Sequence, residues 1–199
     1  MANMFDLVAL IKAVGYLGLF GIIFAESGLL IGFFLPGDSL LFTAGFLASQ
    51  GYLAIAPLIV LLFIAAVAGD AVGYLFGKKV GPRIFSRPQS FWFKPAHIEK
   101  TKLFLERYGV KTILLSRFLP VIRTVAPIMA GVGGMRYRTF AIYNVTGALL
   151  WACGITLLGY GFGQTVPQAD KYILPIVLII IILSILPTVW QIIKERRKV

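Results

Sequence analysis

Six apolar windows run along the chain, at roughly 7–25, 27–50, 53–76, 112–135, 139–163 and 172–193, separated by short polar breaks and one long basic connector. Uninterrupted apolar runs of about 18 or more residues predict helices that cross a bilayer, so the pattern predicts an all-α integral membrane protein. Two windows do not read as simple crossings. The second carries Pro36 and Gly37 between Glu26 and Asp38, and the fourth carries Pro120 and Pro127 together with Arg117 and Arg123. At about 1.5 Å per residue, the stretch from Glu26 to Pro36 covers roughly 15 Å, half of a ~30 Å hydrocarbon core. A helix that stops at that depth must turn back or line a cavity, because free backbone groups cannot face lipid. The expected turns are at Pro36 and Gly37 and at Pro120 and Pro127; charge parity decides for re-entry of 112–135, and for 27–50, which could still span by that count, the internal repeat does.

Composition supports the membrane reading and adds topology. The 199 residues are 59% hydrophobic and only 14% charged, yet the formal net charge is +11. Nine basic side chains between Lys78 and Lys111 face only Glu99 and Glu106, and the tail Lys194, Glu195, Arg196, Arg197, Lys198 is again basic. In so apolar a chain this follows the positive-inside rule rather than nucleic-acid binding. If all six windows crossed, the basic connector and the basic tail would fall on opposite faces. If window 112–135 dips in and returns, then Lys111, Arg136, Arg138, the connector and the tail all share the cytoplasmic face. The first window has no basic leader and no small-x-small cleavage site before Glu26, so it is expected to be a retained helix.

An internal repeat extends the reading to the other half. Gly73-Tyr-Leu-Phe-Gly77 recurs as Gly159-Tyr-Gly-Phe-Gly163 at an offset of 86, and Phe34-Leu-Pro36 recurs as Phe118-Leu-Pro120 at an offset of 84. The expected architecture is two inverted repeats, each a re-entrant broken hairpin followed by a spanning helix, with about four spanning helices in all. Repeat one covers about 7–80, an interfacial linker 81–109, repeat two about 110–166, and a C-terminal helix 172–193 carries the basic tail. Within the linker, Pro95 to Tyr108 reads as an amphipathic helix on the cytoplasmic leaflet, with Ile98, Leu105 and Tyr108 on one face and lysines on the other.

Charges in apolar windows are the candidate chemistry. Glu26, Asp38 and Asp70 are the acids there, and a carboxylate at that depth is costly unless paired, protonated or wetted. Asp38 could equally cap the helix that follows Pro36-Gly37, and Asp70 could pair with a lysine of the connector. Arg117 and Arg123 offer planar forks matched to phosphate or carboxylate oxygens, on a segment whose broken backbone adds free N–H groups. They could also simply neutralise Glu26 and Asp38. No metal site and no cofactor is expected: the chain has one histidine, His97 in the connector, and one cysteine, Cys153 in an apolar window.

The string Glu26-x9-Pro36-Gly37-Asp38, the run Arg117-Phe118-x-Pro120-x-x-Arg123-Thr124, the Gly131 to Gly134 turn and Gly69-Asp70-x-x-Gly73-Tyr74 together resemble the DedA family of bacterial and archaeal membrane proteins. That family shares the VTT, or SNARE-associated-Golgi-type, domain with eukaryotic lipid scramblases. The resemblance covers essentially the whole chain. It implies re-entrant hairpins in an inverted repeat and translocation of lipid, notably undecaprenyl phosphate, across the cytoplasmic membrane with sensitivity to proton motive force. By position, Glu26 and Asp38 match the family's essential acids and Arg117 and Arg123 its essential arginines.

The residues discriminate among four functions. A translocase would bind an anionic lipid phosphate at Arg117 and Arg123, with Glu26 and Asp38 taking up protons to release the arginines. A less selective phospholipid scramblase, for example of phosphatidylethanolamine, would use the same groove. A proton or cation channel explains the acids but not two central arginines, which repel cations. A membrane enzyme would want histidines or a metal cluster and is not expected. Small residues such as Gly69, Gly73 and Gly77 permit close helix packing within the chain or in a homo-oligomer.

Overall fold

Proline starts and glycine ends give the chain its two short central helices. The computed structural model describes residues 5–29, 36–85, 111–117, 120–166, 175–176 and 178–179. In order these form α1 Phe5–Gly28, α2 Gly37–Ser49, α3 Ile55–Phe85, α4 Lys111–Ser116, α5 Pro120–Val132, α6 Tyr137–Ala148 and α7 Gly154–Thr165, with a π turn at Leu149–Cys153 joining the last two. No strand is present among the described residues. The expected interfacial helix from Pro95 to Tyr108 lies outside them. So does the expected C-terminal crossing 172–193, apart from helical residues 175–176 and 178–179.

Among the described residues two helices are long and apolar enough to cross a membrane: Ile55–Val80 within α3, of mean hydropathy 2.4, and the continuous helix Tyr137–Thr165, of 1.6. Several of their large apolar side chains are exposed, among them Val60, Ile64, Phe76, Ile142, Leu150 and Leu158. An apolar exterior of this kind suits lipid rather than water. The remaining apolar helices are shorter. The expected helix over 7–25 is α1, divided where Gly15 takes φ 55°, ψ −154°, so that its apolar part is Gly15–Gly28. Glu26 therefore sits in the last turn of α1 rather than on a separate entry arm.

Both broken windows are interrupted helices. In the first, α1 ends at Gly28 and α2 begins after Pro36; in the second, α4 ends at Ser116 and α5 begins at Pro120. Proline fits a helix start because the first turn has no intrahelical partner for its missing N–H. Pro127 lies inside α5, not at a turn as expected; there the ring removes one donor from the helix. α2 and α5 are each 13 residues long, about 20 Å, and each ends in the same way. Gly51 (φ 82°) and Gly134 (φ 73°) adopt the left-handed conformation that L side chains avoid. Tyr52 N donates to Leu47 O and Gly51 N to Ala48 O (both 3.1 Å), while Met135 N donates to Ala130 O (3.0 Å) and Gly134 N to Gly131 O (3.2 Å). These paired bonds satisfy the last carbonyls of each helix.

The chain divides into two compact units. One comprises residues 1–23, 34–65 and 149–199, and the other comprises residues 24–33 and 66–148. In the first, α2 lies against α7 at glycines. A Cβ on Gly45 would overlap the carbonyl of Thr156, and one on Gly159 would overlap that of Phe42. The Phe42 and Phe46 rings close on Phe162 at centroid distances of 5.8 and 6.5 Å. In the second unit, α5 lies against α3 by the same device, with Gly131 on the carbonyl of Tyr74 and Gly77 on that of Ile128. Gly45 and Gly131 stand 86 residues apart, the offset that relates Gly73 and Gly77 to Gly159 and Gly163. The core of the second unit is Tyr74, Ile113, Ala126, Ala130 and Phe140, with Tyr74 stacked on Phe140 at 4.6 Å.

Candidate functional site

Four opposite charges are sealed inside the second unit. Glu26 is 0% exposed, Arg117 1%, Asp70 2% and Arg123 4%. Each reaches its place from a different element: Glu26 from the last turn of α1, Asp70 from the middle of α3, Arg117 from just beyond α4, and Arg123 from the first turn of α5. The broken second window is what allows this. A helix running straight through 112–135 would fix Arg117 and Arg123 on one cylinder, whereas the interruption after Arg117 frees the two to engage different partners.

Arg123 Nη2 donates to Glu26 Oε1 in a short, buried ion pair. Arg117 Nη2 donates at 2.5 Å to Asp70 Oδ2 and at 2.5 Å to Asn144 Oδ1. Asn144 is tied in turn to α3, its Nδ2 donating to the carbonyl of Val67 at 3.1 Å. The stem of Arg117 lies across α6 at Gly147, where a Cβ would stand 2.7 Å from Arg117 Cδ and 2.9 Å from its Nε. Likewise α1 approaches α3 closely at Gly28 and Gly69, where a Cβ on Gly28 would be 2.5 Å from the Gly69 carbonyl oxygen, which brings Glu26 alongside α3. The four formal charges cancel, and buried Ser27, Ser116 and Thr124 add polar groups to the same unit.

Asp38 belongs to the first unit. It occupies the first turn of α2, where a negative charge suits the helix dipole, and Trp151 Nε1 donates to its Oδ1 at 2.6 Å. Pro36 is the N-cap and has no side-chain cap bond, while Ser39 Oγ donates to the Pro36 carbonyl at 2.9 Å. Through Trp151, Asp38 is tied to the π turn. Asp70 meets Arg117 instead of a lysine of the connector. Pro36, Gly37 and Pro120 sit at the two helix breaks, and Pro127 packs near Gly73 inside the second unit.

Three residues of these clusters carried no mark in the sequence reading: Asn144, Gly147 and Trp151. Two of them had a usable signal. Asn144 is a lone amide in an apolar window, and Trp151 sits at mid-window although tryptophan favours the membrane interface, so a buried indole there needs a partner for its N–H. Gly147 is one small residue among many.

A family model for the VTT domain matches residues 35–161. Protein DedA of Escherichia coli K12 is 47% identical over 194 residues, covering 96% of this chain and 88% of that protein. The chain belongs to the DedA family of VTT-domain membrane proteins. Within the family, an uncharacterised membrane protein of Mycobacterium leprae is 41% identical over 166 residues (83% of this chain, 74% of that protein). The E. coli inner membrane protein YqjA is 36% identical over 177 residues (83% and 79%). No solved structure matches the chain.

Proposed function

We propose that this DedA-family protein moves an anionic lipid phosphate between the leaflets of the cytoplasmic membrane, with protons as the coupling partner and undecaprenyl phosphate as the preferred substrate. The observation that carries the reading is the pair of arginines buried among acids in one unit of a membrane protein. Burying two guanidinium groups costs several kcal/mol each unless partners and hydrogen bonds compensate, so a purely structural role would be served better by apolar packing. Cationic forks held by displaceable carboxylates suit a site that exchanges one anion for another.

In this mechanism the lipid headgroup competes with Glu26 for Arg123 and with Asp70 for Arg117. Protonation of an acid weakens its hold and opens the cation to phosphate, and deprotonation recaptures the cation and expels the lipid. Asp38, tied to Trp151, is a further acid that can carry the coupling proton. The interrupted helices on either side of Pro36 and Pro120, each shorter than a full crossing, are read as the two re-entrant hairpins, with the lipid tail remaining in the bilayer. The shared glycine contacts at an offset of 86 support an internal repeat.

The test is neutralisation in pairs. If the arginines only balance acids, Arg123→Gln with Glu26→Gln, and Arg117→Gln with Asp70→Asn, should restore translocation in reconstituted vesicles. The proposal predicts that both double variants insert and stay monodisperse yet remain inactive, and that Arg→Lys at either position recovers only part of the rate, because an ammonium lacks the fork. Full activity in the neutral pairs would remove the phosphate site from these residues.

A further inference from the structure

Asn144 is a buried amide on α6, and its two ends do different things. Oδ1 accepts from Arg117 Nη2 at 2.5 Å, and Nδ2 donates to the Val67 carbonyl of α3 at 3.1 Å. The same Arg117 Nη2 reaches Asp70 Oδ2, also at 2.5 Å. Arg117 is thus held twice through one nitrogen, once by a charge and once by a neutral group. Gly147, three residues on, leaves the space that its stem occupies.

An arriving anion treats these two holds differently. Phosphate and carboxylate compete for one cation because both are negative, whereas a neutral amide neither repels the phosphate nor is discharged by a proton. We infer that Asn144 is the positioning residue that keeps Arg117 in place, by its tether to Val67, while Asp70 releases it to a phosphate-bearing lipid. This rests on the reading of Arg117 as a phosphate ligand. The carboxylate is the latch and the amide is the pivot.

Protonated aspartic acid is a near copy of asparagine: its carbonyl can accept from Arg117 and its O–H can donate to Val67. Ionised aspartate loses that donor and adds a second anion beside Arg117. The charged groups facing position 144 are Asp70 from α3 and Arg117 from beyond α4, with Glu26 and Arg123 paired in the same unit.

The experiment uses phosphatidylcholine vesicles containing the full chain and a fluorescent short-chain polyprenyl phosphate, with translocation read by quenching of the outer leaflet over a range of pH. Asn144→Leu is expected to lower the rate about tenfold or more at every pH, the size of one hydrogen bond to a charged group. Asn144→Asp is expected to fall by a similar factor at high pH and to converge on the unmodified protein as pH falls. An Asn144→Asp ratio to the unmodified protein that stays flat with pH, or rates equal to the unmodified protein in both variants, overturns the positioning role while leaving the phosphate reading intact. Failure of the unmodified protein to move the probe overturns both. Loss of monodisperse protein in both variants at all pH values would make Asn144 a folding residue and overturn the proposal.

Discussion

Arg123 and Glu26 stand 97 residues apart in sequence, and Arg117 and Asp70 stand 47 apart, yet each pair is in direct contact. That these charges need partners was legible from the sequence, because hydrocarbon rejects unpaired charge. Who pairs with whom was not, since apolar windows give no register between helices. Removing one partner of a sealed pair strands the other, so Arg123→Gln alone should destabilise the protein by about 3–5 kcal/mol, and adding Glu26→Gln should recover most of that loss. Thermal unfolding in detergent measures both. The acids also set the sign of the pH response. Protonation frees the arginines, so translocation by the unmodified protein should rise as pH falls, whereas Glu26→Gln and Asp70→Asn, which remove the acids holding Arg123 and Arg117, should each flatten or abolish that rise. Unchanged pH profiles in both variants would leave these acids with structural roles.

At the level of elements, the prolines and glycines announced breaks and turns, and the structure puts helix starts at Pro36 and Pro120 and left-handed caps at Gly51 and Gly134. Pro127 misled, because a proline buried inside a helix reads in sequence like one at a bend. The π turn Leu149–Cys153 left no trace in hydrophobic periodicity, since one extra residue in a turn of an all-apolar run changes no pattern. Helix contact through glycine carries a sharp expectation. Gly45→Ala and Gly131→Ala would drive a methyl into the carbonyls of Thr156 and Tyr74, where only backbone movement relieves the overlap. Each should cost about 1–3 kcal/mol or more. Gly161 and Gly154 face open space, so alanine there should be neutral or stabilise by about 0.5–1 kcal/mol. Equal melting temperatures across these four variants would contradict the close crossings.

For the whole molecule, charge distribution is the guide to orientation. The connector 78–111, the Arg136–Arg138 turn and the tail after Lys194 should all lie in the cytoplasm, with Gln164–Asp170 outside. Single cysteines in a Cys153→Ala background, probed with an impermeant reagent, report this directly, and external labelling at position 87 or 197 would break the topology. The central claim is that the protein recognises a lipid by its phosphate. Its most direct test compares two probes with the same polyprenyl tail, one a phosphate and one the uncharged alcohol, in vesicles containing the intact chain. The account predicts fast, saturable translocation of the phosphate that excess unlabelled phosphate lipid suppresses, with the alcohol moving at the protein-free rate. Equal acceleration of both probes would contradict it.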